Sequence, residues 1–266
     1  MILLIDIGNT NVVLGIYEND KKINSWRLET RQTKTLDEYG LQLKSLLDHE
    51  NIDMEQIEDI VIGSVVPNLE NTFKNMCKKY FNKEAIVIGE NTKTGMPIKY
   101  ENPKEVGADR IANSVAMAHG YKLPAILIDM GTAITFDVVS EKGEYLGGVI
   151  APGVVIASNS LFEKASKLPK VEFEKPKNVV GKNTVDAIKS GMFTGYVGLV
   201  DNIIESILKE LDYKANETTI ISTGGYSKII ADESKYITST DEDITLQGMN
   251  LIYKRTIESN KKWKKD

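Results

Sequence analysis

Two short stretches of this chain place an aspartate and a glycine where phosphate chemistry needs them. Leu4-Ile5-Asp6-Ile7-Gly8-Asn9-Thr10 and Leu127-Ile128-Asp129-Met130-Gly131-Thr132-Ala133 share one pattern, 123 positions apart. In each, an aspartate follows a short apolar run of the buried-strand kind, so its carboxylate projects at a sheet's edge. The glycine two residues on permits a tight turn whose backbone N–H groups can approach phosphate oxygens. Thr10 and Asn11 in the first stretch, and Thr132 in the second, add neutral donors. One copy alone reads as an ordinary strand–turn–strand. Two copies favour a duplicated element that holds a polyphosphate and its cation, the copies facing each other across a cleft.

Two further elements fit that chemistry. Glu105-Val106-Gly107-Ala108-Asp109-Arg110-Ile111-Ala112-Asn113 opens a helix with an aspartate and an arginine side by side. The carboxylate can take a proton from an attacking hydroxyl. The guanidinium can grip a carboxylate in bidentate fashion. A helix-dipole Asp beside a surface Arg is the competing reading, and the residue types alone do not separate the two. Thr223-Gly224-Gly225 follows a strand and precedes a helix near Ser227, a geometry that suits a ribose or base edge passing close to the backbone. Tyr226 is bulkier than the small residue expected beside a nucleotide. There is no Gly-x-x-x-x-Gly-Lys-Ser/Thr, so a Walker-type phosphate loop is excluded, and no Gly-x-Gly-x-x-Gly follows a strand.

The elements that must position these residues are legible in outline. Ile2–Ile5, Asn11–Tyr17 and Ile23–Leu28 read as three strands, with Glu18-Asn19-Asp20-Lys21 as a turn. Thr35-Leu36-Asp37-Glu38 is a capping box for a helix with Tyr39, Leu43, Leu46 and Leu47 on one face. Asn68 can cap a second helix carrying Leu69, Phe73, Met76, Cys77 and Tyr80. Strands are expected at Ile60–Val66 and Ala85–Gly89. A helix with Ile111 and Val115 ends near Gly120. The second half restarts with strands at Ala125–Ile128, Ile134–Val139 and near Tyr145. A helix from about Val185 to Leu211, a strand Thr218–Ser222 and a last helix from about Leu246 to Ile257 follow. The predicted organisation is an N-terminal domain over 1–117, a C-terminal domain over 118–260 and a solvated basic tail over 261–266.

Composition narrows the function classes. The chain has 266 residues, 41% apolar and 27% charged, long enough to bury a core without staples. A single cysteine excludes an internal disulfide, and two histidines leave little for histidine catalysis or a zinc cluster. Cys77 reads as core on an amphipathic helix rather than as a reactive thiol. A net charge of −5 is a poor match to nucleic-acid binding. No apolar run reaches membrane-spanning length, and Met1 to Thr10 lack a basic start and a small-residue cleavage site. A cytoplasmic protein is expected, with no nucleic-acid and no membrane partner.

Asp6-Ile7-Gly8-Asn9-Thr10-Asn11, Gly107-Ala108-Asp109-Arg110, Asp129-Met130-Gly131-Thr132-Ala133 and Gly147-Gly148-Val149-Ile150-Ala151-Pro152-Gly153 resemble, in that order, the motifs of the type III pantothenate kinases. Gly63-Ser64-Val65-Val66-Pro67 and Thr223-Gly224-Gly225 also match, and the likeness runs from Met1 to about Ile257. A lone Asp-x-Gly hairpin would indicate only the wider superfamily of acetate and sugar kinases, heat-shock chaperones and actin.

The resemblance implies an α/β fold of two ribonuclease-H-like domains, each a mixed β-sheet flanked by helices, with the active-site cleft between them. It implies transfer of the γ-phosphoryl of ATP to pantothenate, giving 4′-phosphopantothenate, the first step of coenzyme A biosynthesis. It further implies Mg²⁺, a monovalent cation (potassium or ammonium) and a homodimer. By the same resemblance, Asp6, Ile7, Gly8, Asn9, Thr10, Asn11, Val12 and Val13 form the first phosphate-binding hairpin, and Thr132 binds the ATP phosphates. Asp109 is the general base. Tyr100, Gly107, Ala108, Asp109, Arg110 and Thr184 contact pantothenate, and Asp129 binds the monovalent cation. Tyr100 also reads as packing, and Asn183-Thr184 as a helix cap. The alternatives are a catalytically inactive, kinase-like regulatory homologue, or an ATPase or kinase of the same superfamily with another acceptor. A purely structural protein would have no use for Gly-Asn-Thr-Asn behind a buried strand.

Overall fold

A computed structural model describes residues 1–89 and 92–263. In chain order the elements are β1 (Ile2–Ile7), β2 (Asn11–Glu18), β3 (Lys21–Glu29), α1 (Leu36–His49), β4 (Asp59–Ser64), α2 (Pro67–Phe81), β5 (Ile86–Val87), α3 (Ala108–Gly120), β6 (Ala125–Met130), β7 (Ala133–Val139), β8 (Tyr145–Pro152), α4 (Val154–Lys164), α5 (Thr184–Glu210), β9 (Thr219–Thr223), α6 (Ser227–Ala231), β10 (Ser239–Thr240) and α7 (Ile244–Trp263). None of the described helices is long and apolar enough to cross a membrane.

The strands form two sheets of five with one topology. The first runs β3-β2-β1-β4-β5, and the second, read in the same sense, β8-β7-β6-β9-β10. In both, the first two pairings are antiparallel hairpins and the last two are parallel. The central strands β1 and β6 are buried on both faces, which is why both read as unbroken apolar runs up to their aspartates. The duplication is therefore real at the level of topology. It slips by one residue in the turn: Asp6 opposes Val13, whereas Asp129 opposes Thr135. The 123-residue offset holds through the glycine and becomes 122 in the returning strand.

The chain divides into two compact units. Unit 1 comprises Met1–Met96, Glu101–Ala116 and Thr245 onward; unit 2 comprises Pro97–Tyr100 and Met117–Ile244. The main division falls between Ala116 and Met117. Two stretches depart from it: 97–100 packs with unit 2, and nearly all of α7 returns to unit 1 rather than completing the C-terminal domain. Gly248 is what lets α7 seat there, since a Cβ on it would lie 1.8 Å from the Ala112 carbonyl oxygen of α3. Thr245 Oγ1 also donates to the buried Asn113 Oδ1 at 2.7 Å. Of the expected basic tail, 261–263 continue α7 and 264–266 lie outside the described residues.

Local signals account for most elements. Thr35 and Glu38 form the expected capping box on α1. α2 differs: it begins at Pro67 with Val66 as N-cap and no side-chain cap, so Asn68 does not cap it. Proline at the first helical position loses no hydrogen bond and presets φ, so it starts the helix two residues early. Cys77 lies on the buried face of α2 in the unit 1 core, and burial pushes its thiol up to about 12. β4 ends at Ser64 rather than Val66 because Ser64 Oγ accepts the Val66 N–H at 3.1 Å and turns the chain.

Candidate active site

In unit 1 the first hairpin and the start of α3 meet at the carboxyl ends of β1 and β4. Asp6 sits half-buried near the end of β1, paired with Gly63 of β4. The Gly8 N–H donates to Asn11 O at 3.0 Å, closing the turn. Thr30, just past the end of β3, braces it: its hydroxyl donates to Gly8 O at 2.7 Å and its N–H to Thr10 O at 2.9 Å. Asn9 and Thr10 are exposed at the tip and Asn11 is half-buried. Ile7 and Val12 have fully buried side chains in the core, so only their backbones can serve a phosphate.

Gly63 connects this hairpin to the third motif. A Cβ at Gly63 would lie 3.8 Å from Ala108 Cβ, so the first turn of α3 rests beside the strand that pairs with Asp6. Val65, whose N–H donates to Ile7 O at 3.1 Å, forms the next step of the same wall. Gly107 then leaves room for a carboxylate. A Cβ there would stand 2.5 Å from Asp109 Oδ1 and 3.3 Å from Val65 Cγ1.

Asp109 is half-buried at the N-terminus of α3, where its Oδ1 accepts the Arg110 N–H at 2.7 Å. Burial raises its carboxyl above the ordinary value. The Arg110 N–H and the Arg110 charge oppose that shift without cancelling it. A carboxylate whose basicity is raised while it remains reachable is what proton removal from an alcohol requires. Arg110 is buried, 7% exposed, so the reading of a surface arginine beside a dipole aspartate fails. Long solvated arginines do not occupy such positions without a use for the charge.

In unit 2 three glycine elements converge on the end of β6. Asp129 is half-buried, Gly131 N–H donates to Ala133 O at 3.1 Å, and Thr132 is half-buried in the turn. A Cβ on Gly153, at the start of α4, would meet Thr132 O at 2.2 Å and Gly131 O at 2.6 Å. Gly224, at a φ of +92°, lies against Met130, whose backbone atoms would stand 2.7–2.8 Å from a Cβ. The second hairpin is thus enclosed by the two other glycine motifs singled out in the sequence. Tyr226, next in the chain, packs edge-on against Phe173 at 5.2 Å, within a cluster that includes Phe193 and Tyr196.

Tyr100 is half-buried in unit 2, its ring 6.2 Å from that of Tyr145 and over Gly147, whose φ is +112°. Thr184 is exposed in the first turn of α5, and Asn183 does the capping, its Oδ1 accepting the Asp186 N–H at 2.9 Å. Among the described residues no group of three or more His, Cys, Asp or Glu could hold a metal by protein ligands alone. A divalent cation that arrives on a nucleotide needs none, because it keeps waters and takes one or two carboxylates plus phosphate oxygens.

Sequence reasoning missed one buried polar pair, Asp137 and Tyr145. The available signal was a lone carboxylate inside the apolar run Ile134–Val139.

Two five-stranded α/β sheets of one topology, each with an Asp-x-Gly turn after its central strand, define the sugar-kinase and actin-like class. The solved inorganic polyphosphate/ATP-glucomannokinase from Arthrobacter sp. strain KM shares the fold, with a TM-score of 0.50 at 13% identity over 97% of this chain and 98% of that one. Within that class, the profile described as type III pantothenate kinase matches residues 2–206. The type III pantothenate kinase of Finegoldia magna is 50% identical over 95% of this chain and 96% of its own length. That of Halalkalibacterium halodurans is 48% identical over 97% and 100%. The chain belongs to the type III pantothenate kinase family.

Proposed function

We infer that this chain is a kinase that transfers the γ-phosphoryl of ATP to pantothenate in coenzyme A biosynthesis. The observation that carries the reading is Asp109: a half-buried carboxylate of raised basicity at a helix start, beside a buried arginine, at the same strand ends as a phosphate-type turn.

The roles follow from chemistry. Phosphoryl transfer depends on positioning and charge neutralisation rather than on a covalent intermediate. The Asp6–Val13 turn offers backbone donors and the Thr10 hydroxyl to phosphate, and Thr132 does so from the second hairpin. Asp109 accepts the proton of the pantothenate hydroxyl, a contribution of typically ~10²–10⁴-fold. Arg110 pairs with the pantothenate carboxylate, with Gly107 and Ala108 shaping its approach and Tyr100 and Thr184 completing the contacts. Asp6 would hold the Mg²⁺ that comes with ATP, and Asp129 would hold potassium or ammonium. When bound, these cations neutralise charge on the transferring group.

We also assign a homodimer. Among the described residues, eight of the ten exposed large hydrophobics fall between Ile150 and Val185 in unit 2, Val179 and Val180 being 70% and 79% exposed. A monomer rarely leaves such a concentration in water. Sedimentation should give twice the chain mass, and Val180→Asp should shift it to one.

The deciding experiment is ADP release with ATP, Mg²⁺ and potassium, with and without pantothenate. Release that requires pantothenate and fails when sodium replaces potassium is expected. Release independent of pantothenate would overturn the reading in favour of an ATPase or another acceptor, and no release from folded protein would favour a regulatory homologue.

A further inference from the structure

Asp137 is fully buried in the middle of β7, and the mechanism above does not use it. A carboxylate in a strand interior is costly unless hydrogen bonds compensate it. Here the Tyr145 hydroxyl, also fully buried, donates to Asp137 Oδ1 at 2.9 Å. The Thr135 hydroxyl approaches Oδ2 at 3.4 Å.

The duplication supplies a control. Asp137 opposes Leu127, two residues before Asp129; the matching residue in unit 1 opposes Leu4, two residues before Asp6, and is Gly15. The same sheet therefore forms with no carboxylate at that position. Among the described residues, the isolated bridge from a segment outside the strands lies in unit 2, where Pro97–Tyr100 packs onto β8.

Tyr145 is what holds that segment. Its N–H donates to Pro97 O at 2.9 Å, and its carbonyl accepts the Lys99 N–H at 2.8 Å, making a parallel bridge with Ile98. Its ring stacks obliquely, at 36°, on that of Tyr100. Gly147 keeps the other side open: a Cβ there would lie 3.4 Å from Tyr100 Cε2. A tyrosine whose hydroxyl, backbone and ring are all engaged has one orientation, and the partner that fixes its buried end is Asp137.

We propose that Asp137 is a positioning residue for the acceptor substrate: it orients Tyr145, which holds the 97–100 segment and the ring of Tyr100 in the conformation that meets pantothenate. The proposal rests on the reading that Tyr100 contacts pantothenate. Asp137 touches no substrate atom, so its loss should act on one KM rather than on the chemistry.

The test compares the full-length protein with Asp137→Asn, Tyr145→Phe, Tyr100→Ala and the Asp137→Asn/Tyr100→Ala double variant. The readouts are the pantothenate KM, the ATP KM and amide hydrogen exchange across 97–100. Weakening of the Tyr145–Asp137 bond is expected to raise the pantothenate KM about tenfold. The ATP KM should stay within about twofold, with faster exchange at the Lys99 amide. In the Tyr100→Ala background Asp137→Asn should add less than about twofold, because the two act through one contact. Tyr145→Phe removes a single hydroxyl and repeats the test if Asp137→Asn folds poorly. Folded variants with unchanged pantothenate KM and unchanged exchange overturn the proposal, as do equal rises in both KM values. If Tyr100→Ala leaves the pantothenate KM unchanged, the contact itself fails and the proposal with it. If Tyr100→Ala raises it and Asp137→Asn does not, the contact stands and the positioning alone fails.

Discussion

Gly107→Ala separates activity from stability. The added methyl carbon would start 2.5 Å from Asp109 Oδ1, and side-chain carbons do not approach oxygen closer than 3.0 Å, so the carboxylate must retreat by at least 0.5 Å. Turning a side chain off its rotamer costs about 0.5–1.5 kcal/mol. Replacing glycine by alanine returns about 0.4–1 kcal/mol through the unfolded chain. The balance lies within about 1 kcal/mol, a Tm change of about 2–4 °C at most for a unit of this size. Catalysis has no such offset. A misplacement near 1 Å costs about 10²-fold, so the variant should lose about 10- to 100-fold in kcat with the ATP KM little changed. The retreat also weakens the 2.7 Å bond from the Arg110 N–H, one of the influences that hold the Asp109 carboxyl down. The acid limb of kcat/KM should therefore move to higher pH. Pantothenate-dependent ADP release across pH, with thermal unfolding on the same sample, reads all three quantities. A kcat within about threefold of the parent at unchanged Tm would refute the assignment of Asp109 as the base.

Asp109→Asn should abolish turnover and raise Tm at neutral pH. Burial raises the folded-state value of this acid, so a penalty on folding builds as pH rises above the ordinary carboxylate value and is complete above the raised one; the gain should shrink as pH falls toward the ordinary carboxylate range, and a gain independent of pH would contradict the cause given. Gly224→Ala should lower Tm by about 2–10 °C, because strain at a φ of +92° and contact with the Met130 backbone cost about 1–3 kcal/mol, and it should weaken ATP binding measured by calorimetry. Cys77 should resist thiol reagents in the folded protein and react only on unfolding, its thiol being buried and pushed up to about 12; stoichiometric labelling under native conditions would show that α2 opens readily.

What the sequence made legible was local. The Thr35–Glu38 box, the Asn19 turn and the two Asp-x-Gly hairpins depend on residues a few positions apart, and each appears where its chemistry places it. α4 gave no such signal because Val155, Ile156 and Phe162 are exposed, so its apolar residues do not mark one buried face. The end of β4 and the start of α2 were displaced because Ser64 and Pro67 act on the backbone before Asn68 can. In the candidate site, Asp109 and Arg110 were visible as residue types, but the burial that raises one and encloses the other comes from tertiary contacts. The Asp137–Tyr145 pair was hidden for the same reason: its meaning lies in a segment some forty residues earlier in the chain.

The seating of Gly248 against Ala112 sets a timetable for synthesis. These residues are 136 positions apart, so at about 5–20 residues per second the ribosome delivers the second roughly 7–27 s after the first. Met117–Ile244, which is unit 2 apart from Pro97–Tyr100, emerges in that interval as one continuous stretch, while unit 1, begun first, waits for α7. The nascent chain thus matures out of order. The helix bearing Asp109 gains this neighbour only after Met117–Ile244 has been made, so a polypeptide stalled before α7 would carry the Asp129 turn on a finished scaffold and Asp109 on an unfinished one.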